Sequence, residues 1–345
     1  MKSVSFFNNK GGVGKTTLAC NIAAHFARVH KRRVILIDCD PQCNSTQLVI
    51  GEDAAARLYW PPDGAPRQSD TILDVVRPIQ DGDATINAGV KPLRKNGNRF
   101  GVDVLPGHPR FSTIEDKLSE AWWGATGGDL GGIRKTNWCV TLCRALQRDY
   151  DVAFFDLGPS LGSINRSVLL GSDFFVSPMG CDIFSIIGIR NIADWLHQWI
   201  DLYKEGVKLC EKRTPNALTP YDIRSSVGVE HGFAGFTIQQ YITKSKGGVR
   251  QPTKAFEHIL QNFSGEVEKH LGPHFAPTVS VASMKLGDVP NMFSLIPLAQ
   301  SVSAPIRELA SADGLVGSQY RQAADYALVL DTLAANLARN LGLRP

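Results

Sequence analysis

Several features are scarce or missing, and each absence removes a class of protein. The 345 residues include only seven cysteines, an odd number without framework spacing, so a disulfide scaffold is excluded. No uncharged apolar run reaches the roughly 18 residues of a membrane-spanning helix. Neither sign of charge dominates. The 37 lysines and arginines against 33 aspartates and glutamates leave +4, too small an excess to name a nucleic acid as partner. No repeat with a period of roughly 20 to 50 residues stands out, which excludes a solenoid. The N-terminus, Met1 to Asn9, has no basic stretch followed by an apolar run and a small-residue cleavage site. A soluble, cytoplasmic chain with reduced thiols is therefore expected. Hydrophobic residues at 43% and charged residues at 20% exclude disorder and coiled coil.

What is present is a rhythm. Short apolar runs, Val4–Phe7, Val34–Ile37, Val102–Leu105, Val152–Phe155, Phe174–Val176, Phe233–Ile238 and Met292–Ile296, alternate with stretches of helical spacing. Continuous apolar strands separated by helices predict a doubly wound, mostly parallel α/β sheet with helices on both faces. Pro178 is expected to stop the fifth strand. Three stretches interrupt the pattern: 51–70, 124–132 and 204–232. Their composition predicts surface additions to one elaborated domain over 1–345, the five glycines of 124–132 reading as a flexible connection. The helix predicted over about Ser318–Leu341 lacks the cation density of a membrane anchor and is expected to pack on the sheet.

The first strand enters Lys10-Gly11-Gly12-Val13-Gly14-Lys15-Thr16-Thr17 and a helix follows. That context is the one a phosphate loop requires. Glycines let successive N–H groups converge on phosphate oxygens, and the helix N-terminus adds partial positive charge. Lys15 is expected to reach the β- and γ-phosphates, Thr16 to bind Mg²⁺ and Thr17 to hold the α-phosphate side. Two further strands end in carboxylates. Asp38 and Asp40 close the second strand before Pro41, and Asp156 closes the fourth. Asp38 and Asp156 are expected in the Mg²⁺ shell, and Asp40 near the γ-phosphate.

The strict phosphate-loop pattern needs glycine at position 9, where this chain has Asn9, and it places lysine at position 10. That departure resembles the deviant Walker A motif of the ParA/MinD family of ATPases, with ParA-type partitioning ATPases the nearer match. Asp38-Cys39-Asp40-Pro41-Gln42 resembles the family's switch I. Asp156-Leu157-Gly158-Pro159-Ser160-Leu161-Gly162 resembles its switch II, with Gly158 in place of a proline. The resemblance implies a P-loop fold, ATP and Mg²⁺ as cofactors, and an ATP-bound sandwich homodimer. It implies that Lys10 crosses to the partner's phosphates and that Asp40 orients the attacking water. Gln239 and Pro297 fall where relatives form the adenine pocket.

Family members bind DNA non-specifically and answer to a ParB-like or other stimulating protein. The resemblance thus implies plasmid or chromosome partitioning, or cargo positioning, and a nucleoid-associated location. Lys244, Lys246, Arg250 and Lys254 form an acid-free stretch that could meet DNA phosphates. The alternative is a nucleotide switch acting on a protein partner without touching DNA, using the added segments as docking surfaces. The C-terminal Leu341-Gly342-Leu343-Arg344-Pro345 does not resemble a basic membrane tail. The Cys39/Cys43 and Cys139/Cys143 spacings do not resemble cluster ligands.

Overall fold

The computed structural model describes residues 1–62, 67–241, 243–246, 249–252, 254–292 and 294–344; of 240–260 and 290 only the backbone is described. The chain runs β1 (Lys2–Phe6), α1 (Lys15–Arg28), β2 (Val34–Asp38), α2 (Asn44–Ile50), α3 (Glu52–Tyr59) and α4 (Ile72–Gln80). Next come β3 (Asp103–Leu105), α5 (Ile114–Thr126), α6 (Leu130–Thr136), α7 (Trp138–Leu146), β4 (Val152–Asp156) and α8 (Ser163–Gly171). Then follow β5 (Phe174–Gly180), α9 (Ile183–Arg213), β6 (Phe233–Tyr241), β7 (Thr243–Lys246) and β8 (Val249–Pro252). The last elements are α10 (Lys254–Leu271), β9 (Lys285–Pro290), α11 (Leu295–Ser301) and α12 (Gln319–Asn340).

Among the described residues, seven strands form one sheet in the order β3-β2-β4-β1-β5-β6-β9. Every pairing in it is parallel. From β1 the chain winds one way to β2 and β3, returns to insert β4, and then winds the other way. The carboxyl ends near that reversal are where an open α/β sheet forms its ligand crevice. The doubly wound α/β architecture is thus the one the sequence predicts.

Strand alternation explains the continuous apolar runs. Phe6, Leu36, Phe154 and Val176 face a core shared with α1 and α12, while Ile35, Ile37, Phe155 and Phe175 face one shared with α5, α7 and α9. Both faces are covered, so a polar position on the central strands is costly unless it finds a partner. Removing one such ring, as in Phe154→Ala, costs about 3–5 kcal/mol by the usual scale for buried aromatics.

The structure differs from the sequence expectation in four places. The final strand is not at Met292–Ile296, where Phe293 lies outside the described residues and α11 begins at Leu295; it is β9. Its Lys285, Gly287, Asp288 and Pro290 disguise an edge strand, where such residues are tolerated. Pro178 does not end β5, which continues to Gly180. β1 pairs with β5 only as far as Val176, so the missing proline N–H breaks no ladder bond there, and Asn8 Nδ2 donates to the Pro178 carbonyl at 2.8 Å. The 124–132 stretch is not a loose connection but the junction of α5 and α6. Asp129 caps α6 through the Gly132 N–H at 2.6 Å, and a Cβ on Gly132 would lie 2.6 Å from the Ala121 carbonyl oxygen. Within 204–232, residues up to Arg213 are the last turns of α9. Beyond them Arg224 is tied to Asp173 at 2.7 Å, and its carbonyl accepts from Tyr203 at 2.7 Å.

In 51–70, α3 occupies the first part, while 63–66 lie outside the described residues. The C-terminal helix packs as expected: Leu330, Leu333 and Leu337 are buried, although Leu328 is exposed. Among the described residues no helix is long and apolar enough to cross a membrane.

Candidate functional site

β1 ends against the loop that the sequence marks for phosphate. Gly12 and Gly14 both adopt φ +73°, a conformation that side chains resist and that turns the backbone into the start of α1. No side chain caps α1, so its first N–H groups remain available to a ligand. Gly11 to Thr17 line a cleft of about 660 Å³ together with Asp40, Gln42, Asn44, Gln47, Glu52, Pro159 and Gln300. Lys15 is buried, and its Nζ donates to the Lys10 carbonyl at 2.8 Å. Burial lowers its pKa, while Asp156 and Asp40 pull the other way. It is a cation held ready at low solvation, which strengthens its attraction for phosphate.

Asp38 and Asp156 stand opposite each other in register on β2 and β4, both completely buried. Asp38 is fully engaged. Its Oδ2 accepts from Thr46 Oγ1 at 2.6 Å and from Thr46 N at 2.9 Å, and its Oδ1 accepts from Asp40 N at 3.2 Å. The Gly107 N–H in turn donates to Thr46 Oγ1 at 2.9 Å. Asp38 therefore pins α2 and the turn before it. Asp156 is the opposite: neither carboxylate oxygen has a partner in good hydrogen-bond geometry, although the Thr16 hydroxyl lies close enough to act on it. Burial raises its pKa and Asp38 adds to the rise, while Thr16 and Lys15 pull it down. A buried, unpartnered carboxylate beside Thr16 is chemically suited to a divalent cation.

Asp40 borders the cleft, and its Oδ1 accepts from Gln42 N at 3.0 Å. Lys10 is turned away from the cleft. Its Nζ lies 2.5 Å from Asp182 Oδ2, on the residue that caps α9 through Ser185 N at 2.9 Å. Burial raises the Asp182 pKa, but Lys10 and Ser185 bring it below the usual range.

Gln239 is buried near Leu18, Ile296 and Tyr326 in a separate cavity of about 10 Å³, and Pro297 is exposed on α11. In this conformation no adenine-sized space joins them. Lys244 and Lys246 fall on β7, Arg250 on the antiparallel β8, and Lys254 at the start of α10. The side chains of these four lie outside the described residues. All seven cysteines are free and buried, and no His/Cys/Asp/Glu cluster among the described residues is placed to hold a metal.

Sequence reasoning missed Asn44, Gln47, Glu52 and Gln300 on the cleft wall, and Thr46 behind it. Asn44 and Gln47 follow switch I on α2, and their only signal is nearness to Asp40. Thr46 could have been suspected as a hydroxyl in the first turn after that motif. Gln300 reaches the cleft from α11 with no signal in the sequence at all.

Residues 1–209 match the family model described as an AAA domain. Over 224 residues the chain is 28% identical to the chromosome partitioning protein ParA of Myxococcus xanthus. That match covers 64% of this chain and 65% of the relative, so the chain spans less than two thirds of the curated protein's length. A crystal structure of a protein from Corynebacterium diphtheriae is similar at TM-score 0.75 and 34% identity, over 99% of both chains. The McdA–ATP complex from Cyanothece is similar in fold, at TM-score 0.62 and 14% identity, over 100% of this chain and 98% of that one.

Proposed function

Since the chain belongs to the AAA domain family and is a P-loop ATPase of the ParA/MinD type, we propose that it hydrolyses ATP as a switch between two assembly states. The observation that carries the reading is the convergence of Lys15, Thr16, Asp40 and the unpartnered Asp156 on one phosphate loop. The loop N–H groups and Lys15 bind the phosphates. Thr16 and Asp156 are the residues that would hold Mg²⁺, which when bound neutralises charge on the phosphate oxygens. Asp38 contributes by fixing switch I. Asp40 accepts a hydrogen bond from the attacking water and orients it toward the γ-phosphate. The adenine assignment to Gln239 and Pro297 requires the narrow cavity by α11 to open.

Lys10 leaves Asp182 when two ATP-bound copies meet and supplies a cation to the partner's phosphates. Turnover then depends on dimerisation. Lys10→Ala should bind nucleotide as the wild type does and lose roughly 10- to 1,000-fold in turnover. A wild-type rate would reject the trans-lysine mechanism.

The ATP-bound dimer binds DNA through sequence-independent phosphate contacts and is reset by a partner protein that stimulates hydrolysis. The M. xanthus ParA and the acid-free stretch from Lys244 to Lys254 support that reading, as a partitioning or cargo-positioning role at the nucleoid. A gel shift with ATP should move DNA at low salt and fail at high salt. The Lys244→Glu/Arg250→Glu variant should not shift it. An ATP dimer that leaves DNA unshifted at any salt would favour a switch acting on a protein partner instead.

A further inference from the structure

The glycine that departs from the family pattern sits directly against the acid assigned to water. A Cβ on Gly158 would lie 3.1 Å from Asp40 Oδ1 and 3.2 Å from its Cγ. Any side chain there presses on the Asp40 carboxylate. Glycine removes that pressure but leaves the loop without the stiffness a proline supplies. A flexible wall would let the acid wander.

The structure supplies a brace. Asn165, in the first turn of α8, is 2% exposed. Its Nδ2 donates to the Gly158 carbonyl at 2.7 Å and to the Ser160 carbonyl at 2.7 Å. One amide group thus ties two loop carbonyls two residues apart to the helix that follows. That helix is itself anchored: Glu115 of α5 accepts from the N–H groups of Ser163 and Ile164, the latter at 3.0 Å. The bond to Gly158 is buried and costly to break, because that carbonyl, once freed, has little water to turn to; the bond to the exposed Ser160 extends the tie along the loop.

We propose that Asn165 is a positioning residue for hydrolysis, holding switch II so that Gly158 forms a fixed wall against the Asp40 carboxylate. Gly158 and Asn165 work as a pair: one permits the close approach and the other restores the rigidity lost with proline. The proposal rests on the reading of Asp40 as the group that orients water.

The test uses the full chain, with three readouts on each variant: steady-state ATP turnover, affinity for a fluorescent ATP analogue, and hydrogen exchange of the 158–162 amides. Asn165→Ala should lower kcat roughly 10- to 100-fold, the scale set by a displacement of about 1 Å in a reacting group. Nucleotide affinity should stay within about threefold, because the phosphate loop is untouched. Exchange across 158–162 should rise. Gly158→Ala should also lower kcat with affinity retained, but without raising exchange. The double variant should be no slower than the slower single one, since both act through Asp40. Wild-type kcat in Asn165→Ala, or kcat and affinity falling together with the melting temperature, overturns the proposal. Asp40→Ala turning over at the wild-type rate removes the premise. That failure is recognised separately, because loop exchange in Asn165→Ala does not depend on what Asp40 does.

Discussion

The carboxyl ends of β2 and β4 make an instructive pair. Asp38 and Asp156 are the same residue type, in register on adjacent strands, and equally buried. Asp38 receives three hydrogen bonds from Thr46 and Asp40. Asp156 receives none. An ionised carboxylate buried without a donor costs several kcal/mol. A fold that keeps such a carboxyl either holds it protonated or leaves it for an outside group to complete. The first aspartate belongs to the architecture of the switch. The second is a carboxyl left without a partner, which the metal role proposed for it requires.

Three measurements would break or sharpen this contrast. The largest effect is expected from Asp156→Asn, which should cost about 100-fold or more in ATP turnover by weakening the cation site. Turnover within a few-fold of wild type would show that the orphaned carboxylate is not part of that site.

Next in size are the opposite effects of two isosteric changes on the nucleotide-free protein. Asp38→Asn puts an amide N–H against either Thr46 or Asp40 and should destabilise by about 1–3 kcal/mol in chemical denaturation. Asp156→Asn removes a carboxyl that burial forces to hold a proton at neutral pH and should raise stability there by about 1 kcal/mol or more. The same sign for both would erase the distinction.

The smallest effect is a slope. Burial, with Asp38 adding to it, raises the Asp156 pKa from the ordinary 3.8 to about 8. Between those values the folded protein retains a proton that the unfolded chain has released. Its contribution is therefore greatest at low pH and falls as pH rises through that window, by at most about 1.4 kcal/mol per unit. Melting followed from pH 4 to 8 should show the decline, and Asp156→Asn should flatten it.

Much of this was legible before any fold was known. The phosphate loop reads from the chain because its function is local: glycines, a lysine and a threonine lie within eight residues, between a strand and a helix. Asp38, Asp40 and Asp156 read equally well as the polar ends of apolar strands. The errors have a common cause. β9 and the continuation of β5 through Pro178 contain residues that strands avoid, and only the place of each in the sheet makes them tolerable. The glycines of 124–132 signal looseness in sequence, yet Gly132 serves close packing between helices.

By itself the sequence determined the sheet class, the phosphate loop and the three acids at the strand ends. Those depend on hydrophobic period and backbone conformation over a few residues. Only the tertiary structure decided which acid is satisfied, where Lys10 rests, and that Asn165 braces the loop opposite Asp40. Each of those outcomes is a hydrogen bond or an ion pair made or withheld between segments far apart in sequence. Lys10 and Asp182 are 172 residues apart, and Asp38 and Asp156 meet only because β4 returns to lie beside β2.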